Sequence, residues 1–203
     1  MLTEKLIFSP SPAPAAIDDA VPENPAPEPA CSSGAMLIPE AFHRIGVFAP
    51  AGKLAPESFQ SGVKLLKAEG KSVCIAPHVR QEFPVRYLAA SAENRAADLS
   101  RLWLEPETDL LLAARGGFGC AHLLPLLDWK RLTARPELPL VGYSDVTVLH
   151  YAMLKTGAGT PVVGPMLGKL TQAAGDPYTA GHFRKALLKT PREVEAPPEF
   201  GPF

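Results

Sequence analysis

Cysteine is scarce in this chain, and the few present make no framework. Cys31, Cys74 and Cys120 are an odd set among 203 residues, with no CxxC spacing. That pattern excludes a disulfide scaffold and a structural zinc site. A surplus of one charge is also lacking: 20 basic side chains face 21 acidic ones, for a formal net charge of −1. The chain therefore offers no electrostatic footprint for nucleic acid or an anionic membrane, and partners have to be argued from a site. No stretch approaches the roughly 20 apolar residues of a membrane span. The opening Met1-Leu-Thr-Glu-Lys-Leu-Ile-Phe-Ser-Pro10 has too short an apolar run for a signal peptide. Cys31 lacks the preceding apolar stretch that lipoprotein export needs. A cytoplasmic location is the expectation.

What is present is apolar substance: 46% hydrophobic against 20% charged residues, enough for one domain with a real core plus extra segments. Residues 9–35 stand apart, being rich in Pro, Ala, Glu and Asp. Such a segment buries too little apolar area to offset its chain entropy and is expected to be disordered. Met36, just ahead of Leu37-Ile38-Pro39, is an alternative start position. Residues 1–42 are taken as an extension and 43–168 as an α/β domain.

From residue 45 short apolar runs alternate with helical periodicity. Ile45–Ala49, Ser72–Ala76, Asp109–Ala114 and Leu138–Val141 read as buried strands bounded by Pro and Gly. Between them Phe59, Val63 and Leu66 recur at helical spacing, with Gly70 at the C-terminal cap. Ala92, Ala96, Leu99 and Trp103 mark a second helix capped by Ser91. A further helix is predicted from Asp145 to Thr156, ended by Gly157, and another near Cys120. Alternating strands and helices predict a parallel sheet with helices on both faces, with ligands bound outside the carboxyl ends of the strands.

Two loops at those ends carry candidate chemistry. Arg115-Gly116-Gly117-Phe118-Gly119 follows the third strand. Its glycines admit close backbone approach, and its amides suit an anion or oxyanion. The spacing is neither GxGxxG nor a P-loop, so a dinucleotide or P-loop site is excluded, while a plain tight turn stays open. Gly142-Tyr143-Ser144-Asp145 joins the fourth strand to a helix. A serine on such a turn has the mechanics of a nucleophile elbow, with the Asp145 amide aimed where an oxyanion forms. Ser and Asp are also the favoured helix caps, and from this loop alone capping is the leading reading. The two loops together make a nucleophile with an oxyanion hole, as acyl transfer requires. Val146 replaces the last glycine of GxSxG, which separates the chain from the α/β-hydrolases.

These residues resemble the serine LD-carboxypeptidases and their relatives, the microcin-immunity peptidases. The resemblance runs from Ile45 to Met166 through Val47-Phe-Ala-Pro-Ala-Gly52, Tyr87-Leu-Ala-Ala90 with Arg95, and Ala114-Arg-Gly-Gly-Phe-Gly119. It continues through Leu123-Leu-Pro-Leu-Leu-Asp-Trp129, Val141-Gly-Tyr-Ser-Asp-Val-Thr147 with Leu149-His150, and Gly164-Pro-Met166. It implies a flavodoxin-like fold and a cofactor-free, metal-free, commonly homodimeric cytoplasmic peptidase. Such an enzyme releases the terminal D-alanine of a murein tetrapeptide in cell-wall recycling. By position, Ser144 is the nucleophile, the amides of Gly117 and Asp145 form the oxyanion hole, and Arg115 and Gly116 contact substrate.

The family's Ser-Glu-His triad takes Glu and His from a C-terminal domain. This chain ends at Phe203, so residues 169–203 are expected to be a linker and the start of a truncated domain. Val163 stands where the family often has His, and Phe118 where Tyr is common. No local base substitutes well. His150, six residues along the helix, lies about 9 Å along its axis on another face. His122 is the best-placed candidate, while His78 and His182 match no family position. The chain by itself is expected to be inactive or nearly so. Two alternatives are a microcin-type immunity peptidase and a non-catalytic module binding a peptide or anion.

Overall fold

The computed structural model describes residues 36–81, 83–85 and 87–189. The expected disordered segment 9–35, Cys31 and the tail from 190 lie outside the described residues. The fold is a five-stranded, fully parallel sheet of order β2-β1-β3-β4-β5. Its strands are β1 (Arg44–Phe48), β2 (Ser72–Ile75), β3 (Leu110–Ala113), β4 (Pro139–Gly142) and β5 (Thr160–Val163). Every residue of the central strands β3 and β4 is buried, as a sheet covered on both faces requires.

The connecting helices are α1 (Pro56–Ala68), α2 (Ala92–Leu104), α3 (Trp129–Leu132), α4 (Thr147–Thr156), α5 (Leu170–Ala174) and α6 (Pro177–Leu187). Crossovers between parallel strands are right-handed, which sets α1 on one face and α2 and α4 on the other. The packing agrees: α2 and α4 both meet the segment Cys120–Leu126, while α1 packs against α5 and α5 against α6. Local chemistry sets the ends. Ser91 caps α2 by accepting from the Asn94 amide at 3.2 Å. Gly157, at φ 75, closes α4 in the left-handed conformation.

Four expectations change in the structure. β5 was not anticipated, because Pro161 breaks its strand signal; at the sheet's edge a proline costs no ladder bond on the open side. The helix expected near Cys120 is a 3₁₀ segment, Cys120–Leu126, containing Pro125. The helix expected at Asp145 opens with one 3₁₀ turn, Ser144–Val146, before α4. Leu37 and Ile38, assigned by composition to the N-terminal extension, are buried in the core at 1% and 0% exposure. Their amides donate to the Glu69 carboxylate, which ties that segment to the end of α1. Helices α5 and α6 add Leu170, Ala173, Ala180, Phe183 and Leu187 to the same core.

His150, on α4, is buried with its Nε2 3.1 Å from the Leu140 carbonyl, while Nδ1 has no partner. Burial holds its pKa below the ordinary 6.5, against the opposing pull of that carbonyl. The unfolded chain thus binds a proton near pH 6.5 that the folded chain refuses, so stability rises with pH in the window just below 6.5. Urea unfolding from about pH 7 down to about pH 5 is expected to show stability falling, with a shallower fall in His150→Gln. A separate pair of glycine variants tests packing. A methyl on Gly62 would stand 2.5 Å from the Leu167 carbonyl oxygen, whereas none of the surroundings of Gly181 lies within 4 Å. Gly62→Ala is expected to destabilise by about 1–3 kcal/mol. Gly181→Ala, inside α6, is expected to stabilise by about 0.5–1 kcal/mol, both read from urea midpoints.

Candidate active site

The segments that follow all five strands gather at the carboxyl edge of the sheet, the four after β1, β2, β3 and β5 joined to one another directly. Their meeting is held by main-chain bonds. The Gly52 amide donates to the Gly116 carbonyl at 3.2 Å, the Lys53 amide to Tyr87 at 2.9 Å, and the Ala89 amide to Ala51 at 3.0 Å. The Gly168 amide, beyond β5, donates to the Ala114 carbonyl at 3.3 Å. Parallel strands all end on one side, so their following loops are gathered here without further instruction.

Ser144 stands on the turn out of β4 with φ 60. Left-handed backbone at a residue with a Cβ costs about 1–2 kcal/mol, so the surrounding packing imposes it. The side chain is exposed at the cleft, and among the described residues none hydrogen-bonds its hydroxyl. Its carbonyl accepts from the Thr147 hydroxyl at 2.6 Å, which stiffens the turn. A methyl on Gly116 would stand 3.3 Å from Ser144 Cβ and 3.6 Å from the Asp145 nitrogen, so glycine loop and serine turn are in contact. Gly117 has φ 118, and a methyl there would overlap the Tyr87 hydroxyl at 1.7 Å. Only glycine fits. Among the described residues the amides of Gly117 and Asp145 have no hydrogen-bond partner.

The Asp145 carboxylate turns away from the cleft and accepts from the Cys120 amide at 2.8 Å. It thereby fastens the serine turn to the far end of the glycine loop. Burial pushes the Cys120 thiol well above its ordinary range, with Asp145 adding to the rise, so this cysteine stays protonated. Beneath the loops lies Arg95, 2% exposed. It donates to the Ala90 carbonyl at 3.0 Å, to the Gly119 carbonyl at 2.9 Å, and to the Pro50 carbonyl. Burial lowers its pKa, and nearby Cys120 and Asp145 oppose the drop.

Ser144, Gly116, Gly117 and Arg115 line one cleft of about 390 Å³ with Tyr143, Leu54, Met166 and Lys169. A neighbouring cleft of about 450 Å³ runs past Val163, Gly164 and Gln172 and shares Tyr143 and Lys169. Arg115 reaches across to the Lys53 carbonyl at 2.7 Å, with its guanidinium 5.8 Å from the centre of the Tyr87 ring.

The histidines lie elsewhere. His150 is bound to Leu140. His122 is exposed and edge-on to Phe118, with ring centres 5.4 Å apart. His78 pairs with Asp98 at 2.9 Å, and the His182 ring is tilted 49° against that of Tyr178 with centres 4.2 Å apart. The sequence brought forward Tyr87 and Arg95 only as parts of motifs, without roles, and passed over Lys169. A cation placed directly after Gly-Pro-Met-Leu-Gly, at the end of an apolar run, was the available signal. Among the described residues no His, Cys, Asp and Glu cluster suits a metal, and no helix is long and apolar enough to cross a membrane.

Residues 45–163 match the LD-carboxypeptidase N-terminal domain. A murein tetrapeptide carboxypeptidase of Pseudomonas aeruginosa is 36% identical over 114 residues, covering 56% of this chain and 36% of that protein. A microcin C7 self-immunity protein of Escherichia coli is 32% identical over 133 residues, covering 62% of this chain and 38% of its own. The crystal structure of a muramoyltetrapeptide carboxypeptidase from Oxalobacter formigenes superposes with a TM-score of 0.61 at 29% identity, over 70% of this chain and 47% of that one. The chain thus spans less than half the length of these relatives. With the sheet, the two loops and the sequence match in agreement, it belongs to the LD-carboxypeptidase family and corresponds to that family's N-terminal domain.

Proposed function

We propose that Ser144 is the nucleophile of a serine LD-carboxypeptidase that releases the terminal D-alanine of a murein tetrapeptide. The observation that carries this reading is the left-handed backbone of Ser144 (φ 60) beside two unpartnered amides, those of Gly117 and Asp145. A strained serine with an exposed hydroxyl is costly to keep for capping alone, since a cap needs no left-handed residue. In the proposed reaction the hydroxyl oxygen attacks the carbonyl carbon of the scissile amide. The hydroxyl proton passes through a base to the amide nitrogen as the C–N bond breaks and D-alanine leaves, and water then frees the acyl group from Ser144. The oxyanion formed accepts from Gly117 and Asp145, each preorganised donor being worth about 10²–10³ in rate. Tyr87 fixes Gly117, and the Asp145 carboxylate fixes the turn through Cys120.

A base must take the serine proton, and none of the described residues hydrogen-bonds that hydroxyl. The proposed Glu and His belong to the part of the relatives that this chain does not span, as in the family's triad. A microcin-type immunity activity is the second reading, favoured by the 32% identity to the self-immunity protein.

The test joins this chain to the C-terminal half of the Pseudomonas relative and assays D-alanine release from murein tetrapeptide. The unfused chain is expected to release none detectably, and the fusion to release it, with Ser144→Ala lowering the rate about 10³-fold or more. Release by the unfused chain would sink the need for an outside base. A folded but silent fusion, or one indifferent to Ser144→Ala, would remove the serine from the reaction. Preference for an aminoacyl-sulfamoyl nucleotide over the tetrapeptide would favour the second reading.

A further inference from the structure

Lys169 stands in the wall shared by the two clefts at the carboxyl edge of the sheet. The cleft that holds Ser144 is lined by two cations, Arg115 and Lys169, and by no carboxylate. Asp145 does not line it, because its carboxylate is turned onto the Cys120 amide. The acid of the neighbouring cleft, Asp176, is occupied as the cap of α6, accepting from the amides of Tyr178 and Thr179 at 3.3 and 3.2 Å and from the Thr179 hydroxyl. The walls therefore present donors to whatever enters: an ammonium, the Gln172 carboxamide and the Tyr143 hydroxyl. A cleft lined by one sign of charge concentrates the opposite sign.

The two cations are not equivalent. Arg115 is committed to the Lys53 carbonyl at 2.7 Å and to the Tyr87 ring. Among the described residues the Lys169 ammonium has a neutral partner, the Gln172 side-chain oxygen at 3.3 Å. Its backbone is fixed in place: its amide donates to Met166 at 2.8 Å, and Gly168 is tied to the end of β3. A methyl on Gly168 would stand 2.6 Å from Leu54, so that loop packs closely on the opposite lip of the cleft. The backbone of Lys169 is thus anchored while its exposed ammonium, beside Gln172 of the neighbouring cleft, has capacity for an anionic partner.

We propose that Lys169 binds the free carboxylate of the amino acid to be released, and so restricts the site to the end of a peptide. This rests on the reading of Ser144 as the nucleophile. A carboxylate one residue beyond a scissile amide lies within about 3.3–3.6 Å of chain length per residue. That short reach, with Ser144 and Lys169 lining the same cleft, makes Lys169 the cation proposed to meet it. An internal peptide bond offers no charge at that position and gains nothing from Lys169.

Binding can be measured on the 203-residue chain without turnover. The probes are a murein tetrapeptide ending in D-alanine as the free acid and the same peptide as its C-terminal amide, titrated by calorimetry at low salt. The free acid is expected to bind about fivefold to tenfold more tightly, with the preference shrinking as salt is added. Lys169→Gln is expected to abolish the preference, and Lys169→Arg to keep most of it. Equal binding of acid and amide by the parent chain, or of neither, overturns the proposal. So does a preference that survives in Lys169→Gln. Labelling of Ser144 by a fluorophosphonate in the fused protein reports separately on the nucleophile. A preference lost in Lys169→Gln while Ser144 stays unlabelled would leave the carboxylate site standing and the serine reading fallen.

Discussion

One buried guanidinium holds the carboxyl edge of this sheet together. Arg95 donates to carbonyls of Pro50, Ala90 and Gly119, which belong to the loop after β1, the approach to α2 and the loop after β3. These carbonyls are turned inward, away from water, and each would cost about 1–3 kcal/mol if left without a donor. The guanidinium suits the task because it spreads five donors over a rigid plane. A lysine at the same place would offer a point charge and leave carbonyls unmatched. The network continues from the Gly119–Cys120 peptide to Asp145 through the bond to the Cys120 amide. The glycine loop and the serine turn are thereby held as one piece.

That rigidity is what permits strain at Ser144. A left-handed residue survives only where its neighbours over-determine the chain. Here Gly116 packs against it, and Thr147 holds its carbonyl. On the near side, a methyl on Gly142 would stand 2.6 Å from Val146, so the strand and the helical turn are in close contact. The outcome is a hydroxyl presented to a cleft, beside two amides that have no partner among the described residues. The amides are available because strand and helix bonds end on either side of them. In the proposed reaction these two amides are the donors to the oxyanion, since attack on an amide requires negative charge to be stabilised at one point.

Much of the fold was legible because burial leaves a plain mark on sequence. Leu110–Ala113 and Pro139–Gly142 are continuous apolar runs, as strands buried on both faces must be. The helix caps at Ser91 and Gly157 were legible because each is a local matter of one side chain or one dihedral angle. Thr160–Val163 was not, since an edge strand tolerates the proline that hides it. Nor was the burial of Leu37 and Ile38, whose partner Glu69 is more than thirty residues away and unmarked by any local pattern.

The candidate site divides along the same line. Sequence by itself determined the residue types and their order: a serine after a buried strand, three glycines after another, and the family to which that order belongs. These are short-range facts, set by which residues can occupy a tight turn or a covered strand. Tertiary structure alone decided that Gly116 touches Ser144, that Tyr87 closes over Gly117, and that Asp145 serves the Cys120 amide. It likewise set His150 against Leu140 and brought Lys169 to the lip of the cleft. Those placements depend on where parallel strands end relative to one another. Only the packed sheet specifies that, because it brings together residues that no local pattern connects.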